Sequence, residues 1–531
     1  VIRSFYYGIP IFGLIVLGLN LYQWPQDAWF RLSILVPFFV VSYVRPTWAL
    51  LAVCASAAWW EIPTLRLEIP NQFAIESGIL GFISGNMLRF SLRDKDGKQV
   101  LNKAITNPFV LPMLFASVLC AVSFAVLIGP MAADLPTQFA PRYVFLQFTR
   151  EAFRWDVKSY VHGPSIAFGM MIQIGAVIHM IALLNRMSQT ESLRFTAKIV
   201  DAIIFGSIAV FAYAFAQFFE IPGFPVVFSV DIGGTFQNGN HLSFFSGFIA
   251  LLTIWRLNDK TSLRPTRSSI FILILLVSIA FMFVGRGRAA ILAIVLPLTV
   301  FAIYLYINRK DYFRNLSKEL RPTLAITGAV VLVLGFVGGF RQIIEFLSQD
   351  QVSHLYSEVP AILMSSEPWR LLLMSGRDVI LSAGIEMFRE HWLTGIGLGN
   401  FFLNANLNIA LHNAYLEWVL ESGVFAGFAL VVGLGYFLCS LINYSRVNFF
   451  GALALLATAI YVGLIGLADT ILTYRSIFTI VSMCFTALLY RIDPATDHKL
   501  LQPRSVIWTV ILIAIAIGLV TILEPQYRNL N

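Results

Sequence analysis

Charge is scarce in this sequence. Only 12% of its 531 residues are Asp, Glu, Lys or Arg, against 58% hydrophobic residues, whereas soluble domains carry roughly 25% charged residues. Half of the usual polar coat is missing, which excludes a cytosolic enzyme and a disordered chain. Cysteine is scarce as well. Cys54, Cys120, Cys439 and Cys484 lie inside apolar runs with no CxxC and no metal-like spacing, which excludes a secreted disulfide scaffold and marks them as small packing residues. There is no internal repeat and no Pro- or Gly-rich linker to announce a second soluble domain. What the chain has in place of these is apolar runs of membrane length, and it reads as a polytopic membrane protein.

A membrane helix needs about 20 mostly apolar residues. Such runs fall near 5–22, 28–44, 109–129, 161–184, 198–219, 241–257, 268–284, 289–308, 322–341, 423–443, 449–468, 471–490 and 505–523. Two weaker stretches, 47–60 and 72–88, are short or carry Glu76. The expected fold is all-α, a polytopic transmembrane bundle of about 13–15 helices with one long external loop containing amphipathic helices. The run from Phe5 to Tyr22 is followed at once by further runs and has no small-residue cleavage site, so it reads as a span rather than a leader.

The net charge of +8 does not imply nucleic acid, because the basic residues sit mostly in short loops between apolar runs. That is the positive-inside pattern. Residues 89–108 hold Arg89, Arg93, Lys95, Lys98 and Lys103; residues 256–267 hold Arg256, Lys260, Arg264 and Arg267; residues 309–321 hold Arg309, Lys310, Arg314, Lys318 and Arg321. All three are assigned to the cytoplasm. Segment 221–240, assigned outside, has no Lys or Arg, whereas segment 130–160 falls outside yet carries Arg142, Arg150, Arg154 and Lys158. The organisation is then an N-terminal transmembrane extension (1–108), a first part of the core (109–341), a long external loop (342–422) and C-terminal helices (423–531). The stretch 342–412 is far longer than ordinary helix connections, and loops of that length tend to carry function. Its second half is amphipathic through Val379, Ile380, Ala383, Ile385, Met387 and Phe388.

Three external features gather polar or cationic groups. Gly-Arg-Gly-Arg-Ala-Ala at 285–290 is a tight turn whose Arg286 and Arg288 run against the positive-inside bias; arginine at such a place is either functional or snorkels to lipid phosphate. Ser-Gly-Arg-Asp at 375–378 leads into a helical segment and then the glycines 395, 397 and 399. Those glycines would let backbone N–H groups approach an anion, but no strand precedes them and no Lys-Ser/Thr follows, so they match neither a dinucleotide fingerprint nor a P-loop. Leu-His-Asn-Ala-Tyr-Leu-Glu-Trp-Val-Leu-Glu-Ser-Gly at 411–423 reads as a helix start with His412 or Asn413 near the cap and Tyr415, Leu416, Val419 and Leu420 on an apolar face. An imidazole at the wet end of a helix exchanges protons near neutral pH. Asp94-Lys95-Asp96 looks like a metal-binding Asp-x-Asp but lies in a basic loop and reads as a turn; His179 reads as a packed polar contact. No other carboxylate or histidine cluster has metal-ligand spacing.

Taken in order, these pieces resemble the O-antigen ligase and O-antigen polymerase superfamily of membrane glycosyltransferases. The similarity starts at Gly234-Thr-Phe-Gln-Asn-Gly-Asn-His-Leu-Ser and runs through Gly287-Arg288-Ala289-Ala290 and Gly376-Arg377. It continues with Gly395-Ile-Gly-Leu-Gly-Asn-Phe, His412-Asn413, Leu416-Glu417 and Glu421-Ser-Gly423, covering about 200 to 440. Gly239 stands where the family usually has Pro, Gly287 where it usually has Ser, and Arg286 is an additional cation.

The resemblance implies transfer of a glycan from an undecaprenyl-diphosphate carrier to an acceptor hydroxyl, a glycan or lipid A-core. The reaction would run on the external leaflet of a bacterial inner membrane. It implies that Arg288 and Arg377 bind the diphosphate and His412 takes the acceptor proton, with Arg286, Asn240, Asn400 and Asn413 contacting substrate. Neither metal nor cofactor is implied, and membrane lipid is the only other partner. The competing class is a transporter or flippase for a lipid-linked glycan or small anion, which calls for paired broken helices; none is visible in the sequence.

Overall fold

The computed structural model describes residues 25–59, 74–94, 96–107, 162–222, 232–236, 239–257, 265–285, 289–295, 377–393, 395–396, 413–425, 449–468 and 475–492, with a few single positions besides. Among the described residues there are twelve α-helices and one 3-10 turn, and no strand. In chain order the helices are α1 (Pro25–Val44), α2 (Pro46–Ser56), α3 (Ala74–Leu92), α4 (Gly97–Ile105), α5 (His162–Asn185), α6 (Gln189–Phe218), α7 (Gly239–Leu257), α8 (Pro265–Val284), α9 (Arg377–His391), α10 (Ala414–Ser422), α11 (Phe449–Ala468) and α12 (Arg475–Ile492). The all-helical expectation holds. Helices occupy the runs expected at 28–44, 161–184, 198–219, 241–257, 268–284, 449–468 and 471–490, and the weaker stretches 47–60 and 72–88 are helical too. The runs 5–22, 109–129, 322–341 and 505–523 lie outside the described residues. Among those described, Thr190–Phe218 in α6 is long and apolar enough to cross a membrane.

The chain divides into two compact units: residues 1–210, 383–452 and 469–531 in the first, and 211–382 with 453–468 in the second. In the first unit α1 and α3 run parallel and touch along their length. Gly81 and Gly85 of α3 are spaced as a small-xxx-small pair, which lets helix backbones close in. A Cβ on Gly81 would stand 2.4 Å from the Leu35 carbonyl oxygen, and one on Gly85 2.3 Å from that of Phe39. Ser42 Oγ donates to the Phe82 carbonyl at 2.6 Å. Arg89 Nη1 donates to the Val44 carbonyl at 2.7 Å and that of Tyr43 at 3.2 Å, closing the end of α1 where carbonyls lack intrahelical partners.

The same end gathers the neighbouring connections. Asp94, just past α3, lies 3.6 Å from Arg89 and is bonded to Arg186 at the end of α5. Arg93 stacks over Tyr43 and Arg186 over Phe90. The Arg45 linker, the residues that follow α3 and the turn after α5 therefore share one end of this unit. Deeper along the same helices, Asn86 Nδ2 lies 2.9 Å from His179 Nδ1, and the imidazole stacks on Phe90. His179 is a packed polar contact, as its isolation in an apolar run suggests. Cys54 and Cys484 are buried free thiols.

In the second unit α7 packs on α8 and on α11. Tyr461 of α11 stacks flat on Phe244 at 5.6 Å, and its hydroxyl donates to the Phe244 carbonyl at 3.1 Å. Gly247 leaves room for that hydroxyl, since a Cβ there would fall 2.2 Å from it.

The close approach of α1 and α3 gives a graded test. Gly78 lies on the same helix, but a Cβ there meets only side-chain carbons at 3.6 Å, an ordinary contact. Gly78→Ala should leave the melting temperature of the purified protein nearly unchanged. Gly85→Ala should lower it, because overpacking against backbone costs about 1–3 kcal/mol. Equal melting of the two variants would mean that α1 and α3 do not meet through these glycines.

Candidate functional site

The pieces of the family-like pattern fall into two groups, one in each unit. In the second unit, Gln217 near the end of α6 accepts at Oε1 from the Gly234 N–H at 2.7 Å. Gly234 has φ +63°, a left-handed conformation that glycine adopts without penalty. Thr235 and Phe236 are buried behind it, and the Phe236 ring lies 5.1 Å from Phe245. After this turn α7 begins at Gly239. Asn240, in its first turn, is exposed, and His241 beside it is buried.

The 285–290 turn begins against that helix start. Ser243 Oγ donates to the Met282 carbonyl at 2.8 Å. A Cβ on Gly285 would lie 2.5 Å from the Gly239 carbonyl oxygen and 2.6 Å from Ser243 Oγ. The first two pieces of the pattern thus meet backbone to backbone. Arg286 and Arg288, one and three residues beyond Gly285, lie outside the described residues.

Helix α9 begins at Arg377, which is counted with the second unit, and ends at His391, counted with the first, so the expected helix after Ser-Gly-Arg-Asp is present. Ile385 is exposed, and Met387 and Phe388 are half-buried. Gly395, at φ +72°, donates its N–H to the His391 carbonyl at 2.8 Å and closes the helix in the manner of a left-handed C-terminal cap. The Ile396 N–H then donates to Leu420 O, and the Val424 N–H to Trp392 O, both at 2.9 Å. These two bonds zip segment 392–396 to the end of α10. A Cβ on Gly395 would lie 2.5 Å from both the carbonyl carbon and oxygen of Glu421. Here too, two pieces of the pattern touch through a glycine.

The N–H groups of Gly395 and Ile396 are engaged by protein carbonyls, so this glycine makes a turn at a close chain crossing; Gly397, Gly399 and Asn400 lie outside the described residues. The inward face of α10 differs from the apolar face expected. Leu420 is buried as anticipated, but Tyr415, Leu416 and Val419 are half-buried. The remaining buried positions are Ala414, Glu417, Glu421 and Ser422. Two carboxylates occupy the inner side of this short helix. Their i, i+4 spacing is visible in the sequence, but acidic residues on a short helix usually face water, so the spacing alone does not signal burial. Burial pushes the Tyr415 phenol above its ordinary range.

Asn413, not His412, is the cap: it is extended, and its Oδ1 accepts from the Leu416 N–H at 2.9 Å. His412 lies outside the described residues, and Arg377 is placed by its backbone alone, as the first residue of α9. Asp94 is held between Arg89 and Arg186, which makes Asp94-Lys95-Asp96 a turn. Among the described residues no group of three or more His, Cys, Asp or Glu could hold a metal ion.

The crossing at Gly395 yields a stability test. Gly395→Ala combines an unfavourable φ with a clash against backbone and should lower the melting temperature more than Asn413→Ala, which removes a cap worth about 1 kcal/mol. Asn413→Asp should preserve the cap. A Gly395→Ala protein that melts with the wild type would contradict the crossing.

Comparison with known proteins gives one family match and no match among curated proteins. The matching family model is described as O-antigen ligase and covers residues 271–431. That range contains the 285–290 turn, the start of α9, the Gly395 crossing and the whole of α10; the 234–243 turn lies upstream of it. Residues 271–431 are thus what this chain shares with the O-antigen ligase family model.

Proposed function

We propose that this chain is a multi-pass enzyme of a bacterial inner membrane that moves a glycan from undecaprenyl diphosphate to an acceptor hydroxyl on the external leaflet. The observation that carries the reading is the family match over 271–431, which takes in Arg288, Arg377 and His412 together. Its members are membrane proteins of the O-antigen ligase and polymerase type. The low charge content and the many apolar runs support a polytopic bundle of about 13–15 helices. The basic end formed by Arg45, Arg89, Arg93 and Arg186 supports placing that end in the cytoplasm.

The chemistry asks for what these residues offer. An acceptor hydroxyl oxygen attacks the anomeric carbon of the donor sugar. The bond from that carbon to the carrier phosphate breaks, and the electron pair leaves with the diphosphate. Arg288 and Arg377 receive the growing charge, because guanidinium is planar, multidentate and permanently protonated. His412 takes the acceptor proton. Arg286, Asn240, Asn400 and Asn413 contact the donor or acceptor. The arginines do the work that a divalent metal does in many nucleotide-sugar transferases, so the reaction runs without one.

Between polymerase and ligase the balance of charge favours a polymerase. Segment 342–412 has only Arg370, Arg377 and Arg389 against seven acids, a poor surface for anionic lipid A-core and an adequate one for a neutral sugar. The basic residues of 130–160 weigh toward a ligase.

Transfer measured with carrier-linked repeat units tests the assignment. His412→Ala should reduce the rate by about 10²–10⁴-fold in a protein that still folds and inserts. Arg288→Lys and Arg377→Lys should be severely impaired because they lose the planar fork, and Arg286→Lys should be milder. Excess chelator should leave the wild-type rate unchanged, and chains should lengthen on the carrier without lipid A-core. Near-normal output from His412→Ala would remove that residue from the reaction, and loss under chelator with rescue by one metal would overturn the metal-free mechanism.

A further inference from the structure

Where α1, α3 and α5 end together, cations outnumber the acids able to neutralise them. Arg89 is engaged by the carbonyls of Tyr43 and Val44 and lies 3.6 Å from Asp94. Arg186 is bonded to the same Asp94, so one carboxylate serves two guanidinium groups. Arg45, the single residue between α1 and α2, is exposed, and its side chain makes no hydrogen bond or ion pair among the described residues. Arg93, exposed just past α3, lies with its guanidinium 5.2 Å from the Tyr43 ring centroid, a contact with the ring face that occupies none of its N–H donors. Helix α4 follows at once. Its Gly97 N–H donates to the Asp94 carbonyl at 2.9 Å, and a Cβ on Gly97 would stand 2.4 Å from the Phe90 carbonyl oxygen. Leu101, Ala104 and Ile105 of this helix are buried, while Lys98 and Lys103 are exposed. The exposed acids of these connections are Asp96 and, in the first turn of α6, Glu191, which is bonded to Ser188.

Large apolar side chains adjoin the two unengaged arginines. Val44 and Leu92 directly precede them in the chain and are 52% and 68% exposed. Trp48, 64% exposed, lies in the first turn of α2 with its backbone N–H on the Arg45 carbonyl at 3.0 Å. Cations alone would suit any anion, a free phosphate or a nucleic-acid backbone included, but neither of those gives the apolar groups a partner. A phospholipid does. Its phosphate oxygens meet guanidinium N–H groups, its chains cover the apolar side chains, and a Trp suits the depth between the two. Basic pockets between helices on the cytoplasmic side are where anionic headgroups bind.

We propose that Arg45 and Arg93 hold the phosphate of an anionic phospholipid, with Lys98 and Lys103 adding to the positive field and the acyl chains lying against Val44, Trp48 and Leu92. This rests on the membrane reading above and not on the transfer chemistry. The surplus of cations selects the class of lipid: a choline headgroup brings a positive charge of its own into the field, whereas a glycerol headgroup leaves the phosphate charge whole. The site adjoins the Arg89, Asp94 and Arg186 contacts that join three helix ends, so a lipid bound there stabilises the folded unit by mass action.

Native mass spectrometry of the full-length protein in detergent, with equimolar phosphatidylglycerol and phosphatidylcholine of the same chains, tests the proposal. Phosphatidylglycerol should be retained in preference and should raise the melting temperature more than phosphatidylcholine does. Arg45→Gln and Arg93→Gln should each weaken its apparent affinity about fivefold and the double variant about 25-fold, and Trp48→Ala should weaken it as well. Arg389→Gln, an equal loss of charge at an exposed residue of α9, should not. Glycerophosphoglycerol, the headgroup without chains, and inorganic phosphate should fail to displace the lipid. Equal retention of the two lipids, or equal losses in Arg45→Gln and Arg389→Gln, overturns the proposal, and so does displacement by either chainless anion. Should Arg93→Gln fail to accumulate because it loses the Tyr43 stack, Arg45→Gln decides alone, since its side chain has no protein partner to lose. Alkaline carbonate extraction separates the two readings: a protein that leaves the membrane fraction refutes the membrane reading, and one that stays there with no lipid preference refutes the site alone.

Discussion

Where Gly285 meets Gly239 and Gly395 meets Glu421, no side chain stands between the two backbones, and the segments that resemble the transferase pattern are joined at those points. An added methyl would fall 2.5 Å from a backbone atom at each place, well inside van der Waals contact, so the chain must part or the residue must be glycine. Gly285 directly precedes Arg286 in the chain, and Gly395 is anchored to α10, the helix that follows His412 in sequence. Such glycine crossings fix the main chain without adding side-chain bulk.

The same device recurs in the first unit between α1 and α3, where Gly81 and Gly85 bring α3 onto α1. There the purpose is assembly. Helices surrounded by hydrocarbon gain nothing from hydrophobic association with one another, so close packing and interhelical hydrogen bonds such as that of Ser42 must hold them. The Arg89 and Asp94 contacts then tie the ends of α1, α3 and α5 together.

Hydropathy located most of the helices because apolar length is a strong signal: α11 spans Phe449–Ala468, the run read from the sequence. It failed where polar residues do structural work. Helix α6 begins at Gln189, well before the apolar run at 198, because Ser188 and Glu191 form a reciprocal cap, Ser188 Oγ on the Glu191 carboxylate at 2.7 Å, and polar first turns do not register as membrane. Stretch 72–88 reads as weak because it carries Glu76, yet it is helical, and its Gly81 and Gly85 are what α1 packs upon. The buried side of α10 was hidden for the converse reason, since its inward residues include Glu417 and Glu421. Motif order, by contrast, was readable from a few fixed residues, and the match over 271–431 agrees with it.

The central claim is that the arginines at 288 and 377 hold a lipid diphosphate while the segments around them are pinned by glycine. A structure of the full-length protein with undecaprenyl diphosphate bound tests this most directly. The account predicts both guanidinium groups within hydrogen-bond distance of phosphate oxygens, on the side of the membrane away from Arg89 and Arg186. Diphosphate bound at the Arg89 end, or held by neither Arg288 nor Arg377, would contradict it.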